Sequence, residues 1–275
     1  MTAPVMSPRQ HPVSQIRTRR ILGVDLAMTD YHGAMDYMDG MVDRGQTGYV
    51  CAVAVHGVMV AQNDREMARA LGGASLIVPD GMPLVWASNM LGEGLDDRVY
   101  GPQLMARYCQ RSVERGHRLW LYGGRSQRAL GELARSLQIR YPGIQIVGGH
   151  APPFRVLTPA EEQGMADRIN ADRPDVVWCG IGVPKQEKWM ARMRGLVEAP
   201  VMVGVGAAFD FMAGRVSQAP TWMQNRGLEW TYRIVQEPGR LLPRYLYYNP
   251  KFLAEFVRQY GREGGRASRV PLGED

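Results

Sequence analysis

Residues 175–187 read Asp175-Val-Val-Trp-Cys-Gly-Ile181 and then Gly182-Val-Pro-Lys-Gln-Glu187. The first seven residues form an apolar run that is typical of a buried β-strand. A glycine turn follows, with Pro184 placed to suit the first position of a helix over 185–195. This order predicts a βα unit whose turn residues, Gln186 among them, face a ligand crevice at the carboxyl end of the strand.

The same alternation of apolar runs and helical patterns recurs along most of the chain. Further strands are predicted over 21–26, 49–55, 75–78, 118–122, 144–148 and 201–205. Further helices are predicted over 30–44, 57–71, 83–91, 102–115, 126–140 and 159–171. Strands separated by helices indicate an α/β fold, here a Rossmann-like, mostly parallel sheet flanked by helices.

The pattern changes near residue 221, beyond which no strand signal remains. Helical segments over 222–236, 240–247 and 250–260 are punctuated by Pro238, Pro243 and Pro250. We therefore expect a C-terminal α-helical appendage over 221–262, after an α/β catalytic domain over 19–220. Residues 1–18 and 263–275 are predicted to be a disordered leader and a disordered tail.

Composition narrows the function classes. The 275 residues carry 33 Lys and Arg against 27 Asp and Glu, for a net charge of +6. This excess suits an anionic partner, although a base-rich coding bias would also produce it. The three cysteines are far apart, which predicts reduced thiols in the cytoplasm and neither a disulfide frame nor a zinc site. No apolar run is long enough for a transmembrane helix, so any membrane contact is expected to be peripheral.

Two charged residues are candidates for chemistry. Asp80 follows the third predicted strand, where a carboxylate suits a general base, and capping of the next helix is the alternative. Arg98 comes eighteen residues later and brings a guanidinium either to the same crevice or to a surface ion pair. His56 follows the second strand, where a lone histidine is more often structural than catalytic.

Glycine turns at other strand ends predict a phosphate-binding crevice. Gly123-Gly124 opens a helix whose backbone amides suit a phosphate, and Phe154 follows a second glycine pair, either to stack on a base or to join the core. Asp210, between Gly204 and Gly214, suits ribose hydroxyls or helix capping. The turns lack the G-x-G-x-x-G and P-loop spacings. No metal-ligand spacing or Asp-x-Asp pair occurs, so we expect neither a metal site nor a cofactor.

Taken together, these motifs resemble those of the WecG/TagA/CpsF family of bacterial glycosyltransferases (glycosyltransferase family 26) over roughly residues 20 to 260. The matching motifs are Val78-Pro-Asp-Gly81 with Met82-Pro83, Arg98 with Gly101, Tyr122-Gly-Gly124, Tyr141-Pro-Gly143 with Ile146-Val-Gly148, Gly180-Ile-Gly-Val-Pro-Lys-Gln-Glu187, Gly204–Gly214, Ala219-Pro220, Gly227-Leu-Glu-Trp230, Arg233, Glu237-Pro238, Arg240 and Arg244-Tyr245.

The resemblance implies an inverting, metal-independent transfer of a sugar from a UDP-sugar to a polyprenyl-diphosphate-linked sugar, at the cytoplasmic membrane face, in cell-wall or exopolysaccharide synthesis. It implies that Asp80 is the catalytic base and that Arg98 steadies charge in the site. The substrate-binding residues that we predict are His56, Gln186, Arg233, Arg240 and Arg244. The UDP-binding residues that we predict are Gly123, Gly124, Phe154, Gly182, Gly206 and Asp210.

Two departures from the family pattern bear on the substrates. Ala52 and Ala54 stand where many members have a Thr-x-Asn pair, and Gln218 stands where many have arginine. UDP-N-acetylmannosamine is the family's commonest donor. The alanine pair keeps a UDP-glucose-dependent β-glucosyltransferase of xanthan-like exopolysaccharide assembly open as an alternative.

The appendage carries an excess of arginines and several aromatic residues. That composition predicts binding to an anionic membrane surface, while a soluble helical cap or a homo-oligomer interface is the alternative. Two rival interpretations of the whole chain are an NAD- or nucleotide-binding regulator and a nucleic-acid-binding protein. The chain lacks the dinucleotide fingerprint and any nucleic-acid-binding motif, so we expect no nucleic-acid partner.

Overall fold

The computed structural model of the protein describes residues 16–214, 219–220, 223 and 229–267. The strands are β1 (Thr18–Ile21), β2 (Val24–Ala27), β3 (Gly48–Val53), β4 (Leu76–Pro79), β5 (Arg118–Gly123), β6 (Gln145–His150), β7 (Val176–Gly180) and β8 (Val201–Gly204). The helices are α1 (Tyr31–Asp43), α2 (Val55–Ala61), α3 (Arg65–Gly72), α4 (Met82–Met90), α5 (Gly101–Arg115), α6 (Gln127–Arg140), α7 (Pro159–Ala171), α8 (Lys185–Met193), α9 (Ala208–Met212), α10 (Glu229–Gln236) and α11 (Pro238–Ala267).

Six strands form one parallel sheet in the order β4-β3-β8-β7-β5-β6. The α/β prediction is therefore confirmed. Strands β5 and β7 are neighbours in this order. The chain leaves β5 for β6 on one side of the pair and leaves β7 for β8 on the other side, so the two connections diverge. Such a divergence opens a crevice at the carboxyl ends of the strands.

The first predicted strand, over 21–26, is wrong. The chain reverses there and forms the antiparallel β1–β2 hairpin, which is separate from the main sheet. Leu22 and Gly23 make the turn with φ of +45° and +81°. Positive φ at both central residues matches the twist of a two-residue hairpin, and the apolar pattern alone did not reveal it.

The hydrophobic core has two layers, one on each face of the sheet. Alternate residues of β7 point to opposite faces, so Trp178 is buried in one layer and Cys179 in the other. The predicted helix over 57–71 is two helices, α2 and α3. Asp64 starts the second one by accepting hydrogen bonds from the backbone N–H groups of Glu66 and Met67, both at 3.0 Å.

The end of the chain departs from the predicted series of short helices. One helix, α11, passes through Pro243 and Pro250. Each proline removes a backbone donor and weakens a helix. Burial of Phe252 and Phe256 in the core layer beside α2 offsets that cost.

The same helix also extends beyond the predicted boundary. It continues to Ala267, into the segment predicted as a disordered tail, and Glu263 pairs with Arg19 at 2.6 Å. Along the described ranges, no helix combines the length and the apolar character needed to cross a membrane.

Candidate active site

Asp80 lies at the carboxyl edge of the sheet, directly after β4. Its Oδ1 accepts a hydrogen bond of 2.7 Å from the backbone N–H of Gly101, the first residue of α5. Its own N–H donates to the carbonyl of Val53 at 2.9 Å. The half-buried residue is thus fixed to two other elements, with its carboxylate bound to α5 and its backbone to β3. Gly81 is the N-cap of α4, so the capping alternative for Asp80 is wrong.

Arg98 belongs to the same neighbourhood. Its guanidinium carbon lies 4.6 Å from the ring centre of Tyr100. Burial raises the pKa of nearby Tyr31 to about 12, and the charges of Arg98 and Asp80 also act on that phenol. The Tyr31 hydroxyl accepts from the backbone N–H of Tyr100 at 3.0 Å. The loop of Arg98 is attached beside Asp80, because the backbone N–H of Val99 donates to the carbonyl of Pro79 at 2.8 Å, while a shared role in one crevice stays a prediction.

Small residues surround the start of α5. A Cβ on Gly101 would lie 3.1 Å from the carbonyl oxygen of Val205 and 3.4 Å from the Cβ of Ala52. A Cβ on Gly81 would lie 3.6 Å from the Cβ of Ala54. The two alanines that depart from the family pattern therefore lie next to the residues that hold and follow Asp80.

A cavity of about 780 Å³ opens where the connections after β5 and β7 diverge. Of the predicted UDP-binding residues, it is lined by Gly124, Phe154, Gly182, Gly206 and Asp210. Gly123 is buried behind this lining. A Cβ there would lie 2.7 Å from the carbonyl oxygen of Gly180, so Gly123 lets the two strand ends approach each other.

Two alternatives for residues of this cavity are wrong. Phe154 is 83% exposed, so it is not a core residue. Asp210 lies within α9, whose N-cap is Ala207, so it does not cap that helix. Its carboxylate instead approaches the guanidinium of Arg125 at 3.4 Å.

Gln186 and Glu187 are fully buried beneath the cavity. The side-chain oxygen of Gln186 accepts from the backbone N–H of Gly206 at 3.0 Å, and its side-chain nitrogen donates to Glu187 Oε1 at 2.9 Å. Glu187 Oε2 has no hydrogen-bond partner within the described ranges, and burial raises the pKa of Glu187 to about 7. Gln186 thus supports the cavity wall in this structure and does not line the open space.

The appendage contacts the site from the side of α2. Arg244 donates to Nδ1 of His56, whose ring packs edge-on against Tyr248 with centroids 4.8 Å apart. Burial, together with the charge of Arg244, lowers the pKa of His56 to about 3. A neutral histidine that anchors α11 fits a structural role for His56 better than a catalytic one.

The two other substrate-binding residues predicted in the appendage are Arg233 and Arg240. The guanidinium carbon of Arg233 lies 5.3 Å from the ring centre of Phe211. The side chain of Arg240 and residue Gln218 lie outside the described part of the structure.

Sequence reasoning missed three residues of this region. Arg125 follows directly on Gly123-Gly124, and Lys185 follows Pro184, so their positions after strands were a usable signal. No local signal indicated that Glu187, on a polar helix start, would be buried. Within the described residues, no group of three or more His, Cys, Asp or Glu side chains is arranged to hold a metal ion.

The chain is similar in sequence to known bacterial transferases. Three relatives are each named N-acetylglucosaminyldiphosphoundecaprenol N-acetyl-beta-D-mannosaminyltransferase. The one from Bacillus spizizenii is 30% identical over 69% of this chain and 73% of its own length. Those from Bacillus subtilis and Staphylococcus aureus are 27% and 29% identical over 82% of this chain, and 86% and 90% of their own lengths.

The family comparison covers nearly the whole described chain. Residues 19–265 match the family described as "Glycosyl transferase WecG/TagA/CpsF family". The match spans the Asp80 neighbourhood, the cavity at β5 and β7, and nearly all of α11, which are the regions that carried the sequence resemblance. The chain is a glycosyltransferase and belongs to the WecG/TagA/CpsF family.

Proposed function

We propose that the protein transfers a sugar, with N-acetylmannosamine favoured, from its UDP derivative to a polyprenyl-diphosphate-linked sugar, with inversion at the anomeric carbon. The observation that carries this proposal is the Asp80 carboxylate, fixed by Gly101 at the sheet edge where the cavity also opens. The names of the relatives, which specify a mannosaminyl transfer to an acetylglucosaminyl-diphosphoundecaprenol, support the same substrate classes.

The chemistry is a single in-line displacement. The acceptor hydroxyl oxygen forms a bond to the anomeric carbon while Asp80 takes its proton. The bond between that carbon and the diphosphate oxygen breaks, and UDP leaves with the electron pair from the opposite face. A β-linkage then results from an α-linked donor. In this proposal Arg98, whose guanidinium lies over the ring of Tyr100, balances charge near Asp80.

UDP-glucose is the second candidate donor. Ala52 and Ala54 present methyl groups beside Gly101 and Gly81. Methyl groups cannot hydrogen-bond the acetamido group of an N-acetylated sugar, which leaves less reason to prefer that donor. The alternative product belongs to xanthan-like exopolysaccharide assembly.

The surface of α11 supports peripheral attachment to the cytoplasmic face of the plasma membrane. Five exposed apolar residues lie on one side of this helix, because their spacing of three, four or seven residues returns to the same face. They are Leu242, Leu246, Leu253, Val257 and Tyr260. Lys251 and Arg262 add positive charge that attracts anionic lipid, whereas Arg258 is paired with Glu255 at 2.9 Å. A homo-oligomer that buries this face remains the alternative.

A donor panel tests the proposal. Purified enzyme is incubated with UDP-N-acetylmannosamine, UDP-glucose or UDP-N-acetylglucosamine and a short-chain polyprenyl-diphosphate N-acetylglucosamine, and the product is identified by mass and by the anomeric coupling in NMR. We expect a β-linked disaccharide from UDP-N-acetylmannosamine. Transfer from UDP-glucose alone selects the second donor, and transfer from no UDP-sugar, with no binding of UDP, refutes the proposal.

A further inference from the structure

We propose that Arg125 and Lys185 form a cationic clamp for the diphosphate of the nucleotide donor. This inference rests on the proposed function and specifies which groups of the cavity receive the leaving group. It comes from how closely each positive charge around the cavity is paired, because a cation held at hydrogen-bonding distance by a carboxylate offers less of its charge to a ligand.

Five basic residues line the cavity: Arg125, Arg155, Lys185, Lys188 and Arg192. Three of them are engaged by carboxylates at short distances. Lys188 lies 2.6 Å from Asp64 and 3.0 Å from Glu66. Arg192 lies 2.8 Å from Glu162.

Arg155 is the most completely neutralised of the engaged cations. It forms a two-pronged contact with Glu161, with nitrogen–oxygen distances of 2.7 Å and 2.5 Å. Such bidentate pairs fix the guanidinium in a defined orientation. Arg155, Lys188 and Arg192 are therefore part of the wall of the cavity.

The remaining two cations are held differently. Arg125 meets Asp210 at 3.4 Å and 3.5 Å, and its side chain is 67% exposed. The exposed Lys185 has no ion pair or hydrogen bond of its side chain within the described residues. These two groups can move toward an incoming anion without the loss of a strong contact.

Their positions in the fold bring them to one ligand. Arg125 follows β5 and Lys185 follows β7, and Gly123 pairs with Gly180 at the ends of these adjacent strands. Gly124, with φ of +90°, and Gly182, with φ of +82°, line the crevice between them. Phe154 and Asp210 lie in the same cavity, which favours the nucleotide diphosphate over the diphosphate of the lipid acceptor.

Isothermal titration of the full-length protein with UDP and with uridine tests the clamp. Arg125→Gln and Lys185→Gln should each weaken UDP binding by about ten- to a hundredfold, the range expected for hydrogen bonds to charged groups. Binding of uridine should not change, since it lacks the diphosphate. Arg128→Gln is the matched control, because this exposed arginine of α6 pairs with Glu132 at 3.2 Å and does not line the cavity, and it should change UDP binding less than about twofold.

The possible outcomes separate this inference from the proposed function. If the wild-type protein binds no UDP, the proposed function itself fails. If the wild-type protein binds UDP and both variants bind UDP as tightly as the wild type does, the clamp is overturned. A raised KM for the lipid acceptor with unchanged UDP affinity overturns it too, by assigning the cations to the acceptor diphosphate. Equal loss of UDP and uridine binding also rejects it, because the cavity would then be damaged as a whole.

Discussion

The carboxyl edge of the sheet has two halves that hold their polar groups in opposite ways. Around β3 and β4, Asp80 is fixed by a backbone donor at 2.7 Å, and its neighbours are glycines and alanines. Around β5 and β7, a cavity of about 780 Å³ is lined by long charged side chains, and Arg125 contacts Asp210 only at 3.4 Å. One half has the rigidity that a proton acceptor needs, while the other has the room and adjustable charge that a nucleotide needs.

Replacement of Asp80 by Asn tests this division most strongly. The amide keeps the shape of the side chain but cannot take the acceptor proton, so turnover should fall by about 10²–10⁴-fold. UDP affinity, which depends on the other half, should stay the same. Steady-state kinetics and calorimetry measure the two effects.

Asp96→Asn is the matched control, because this exposed acid lies in the loop that carries Arg98 and its side chain makes no hydrogen bond or ion pair among the described residues. Near-normal turnover in Asp80→Asn would remove the distinction between the two halves.

The second prediction concerns α11, which approaches the first half through Arg244 and His56. Leu246→Ser combined with Leu253→Ser should reduce binding to anionic liposomes by at least about tenfold, because two leucines no longer enter the lipid. The KM for the lipid acceptor should rise, and the affinity for UDP should stay the same.

Ile139→Ser, at an exposed site on α6, is the control for loss of surface apolarity. Liposome binding that persists in the double variant would favour the homo-oligomer interpretation of this face.

The third prediction concerns the buried support beneath the cavity. The pKa of Glu187 is raised from its ordinary 4.5 to about 7, mainly by burial. As the pH rises, Glu187 therefore ionises in the unfolded chain before it ionises in the folded protein. Its contribution to the free energy of unfolding is complete below about pH 4.5 and declines until about pH 7. The decline approaches about 1.4 kcal/mol per pH unit.

Urea unfolding of Glu187→Gln should lack this decline, and the difference in unfolding free energy from wild type should change across that pH window. Glu66→Gln gives the opposite sign and a smaller effect, because the hydrogen bond from Lys188 lowers the pKa of Glu66. Parallel pH profiles for Glu187→Gln and wild type would show that Glu187 is ionised in the folded protein.

The smallest effect is expected for Phe154→Ala. Loss of a stacking surface for the uracil costs about 1 kcal/mol, which corresponds to roughly a fivefold weaker UDP affinity. Val156→Ala is the control, since it removes an exposed apolar side chain without a ring from the same cavity wall. Unchanged UDP affinity in Phe154→Ala would mean that the cavity half binds the nucleotide without its base.

Much of this architecture could be read from local sequence patterns. Apolar runs followed by glycines located all six strands of the parallel sheet, because a strand buried on both faces must be apolar throughout. The same reasoning located Asp80, Gly124 and Asp210, since a residue that follows a parallel strand necessarily lies at the carboxyl edge. The family motifs then identified the glycosyltransferase.

The tertiary structure decided everything that depends on contacts between distant segments. The hydrogen bond from Gly101 to Asp80, the burial of Glu187, and the pairing of Lys188 with Asp64 each require partners from distant parts of the chain. Helix α11 passes through Pro243 and Pro250 because Phe252 and Phe256 are buried beside α2. Local propensity is worth a few kcal/mol at most, and packing between distant segments readily exceeds it.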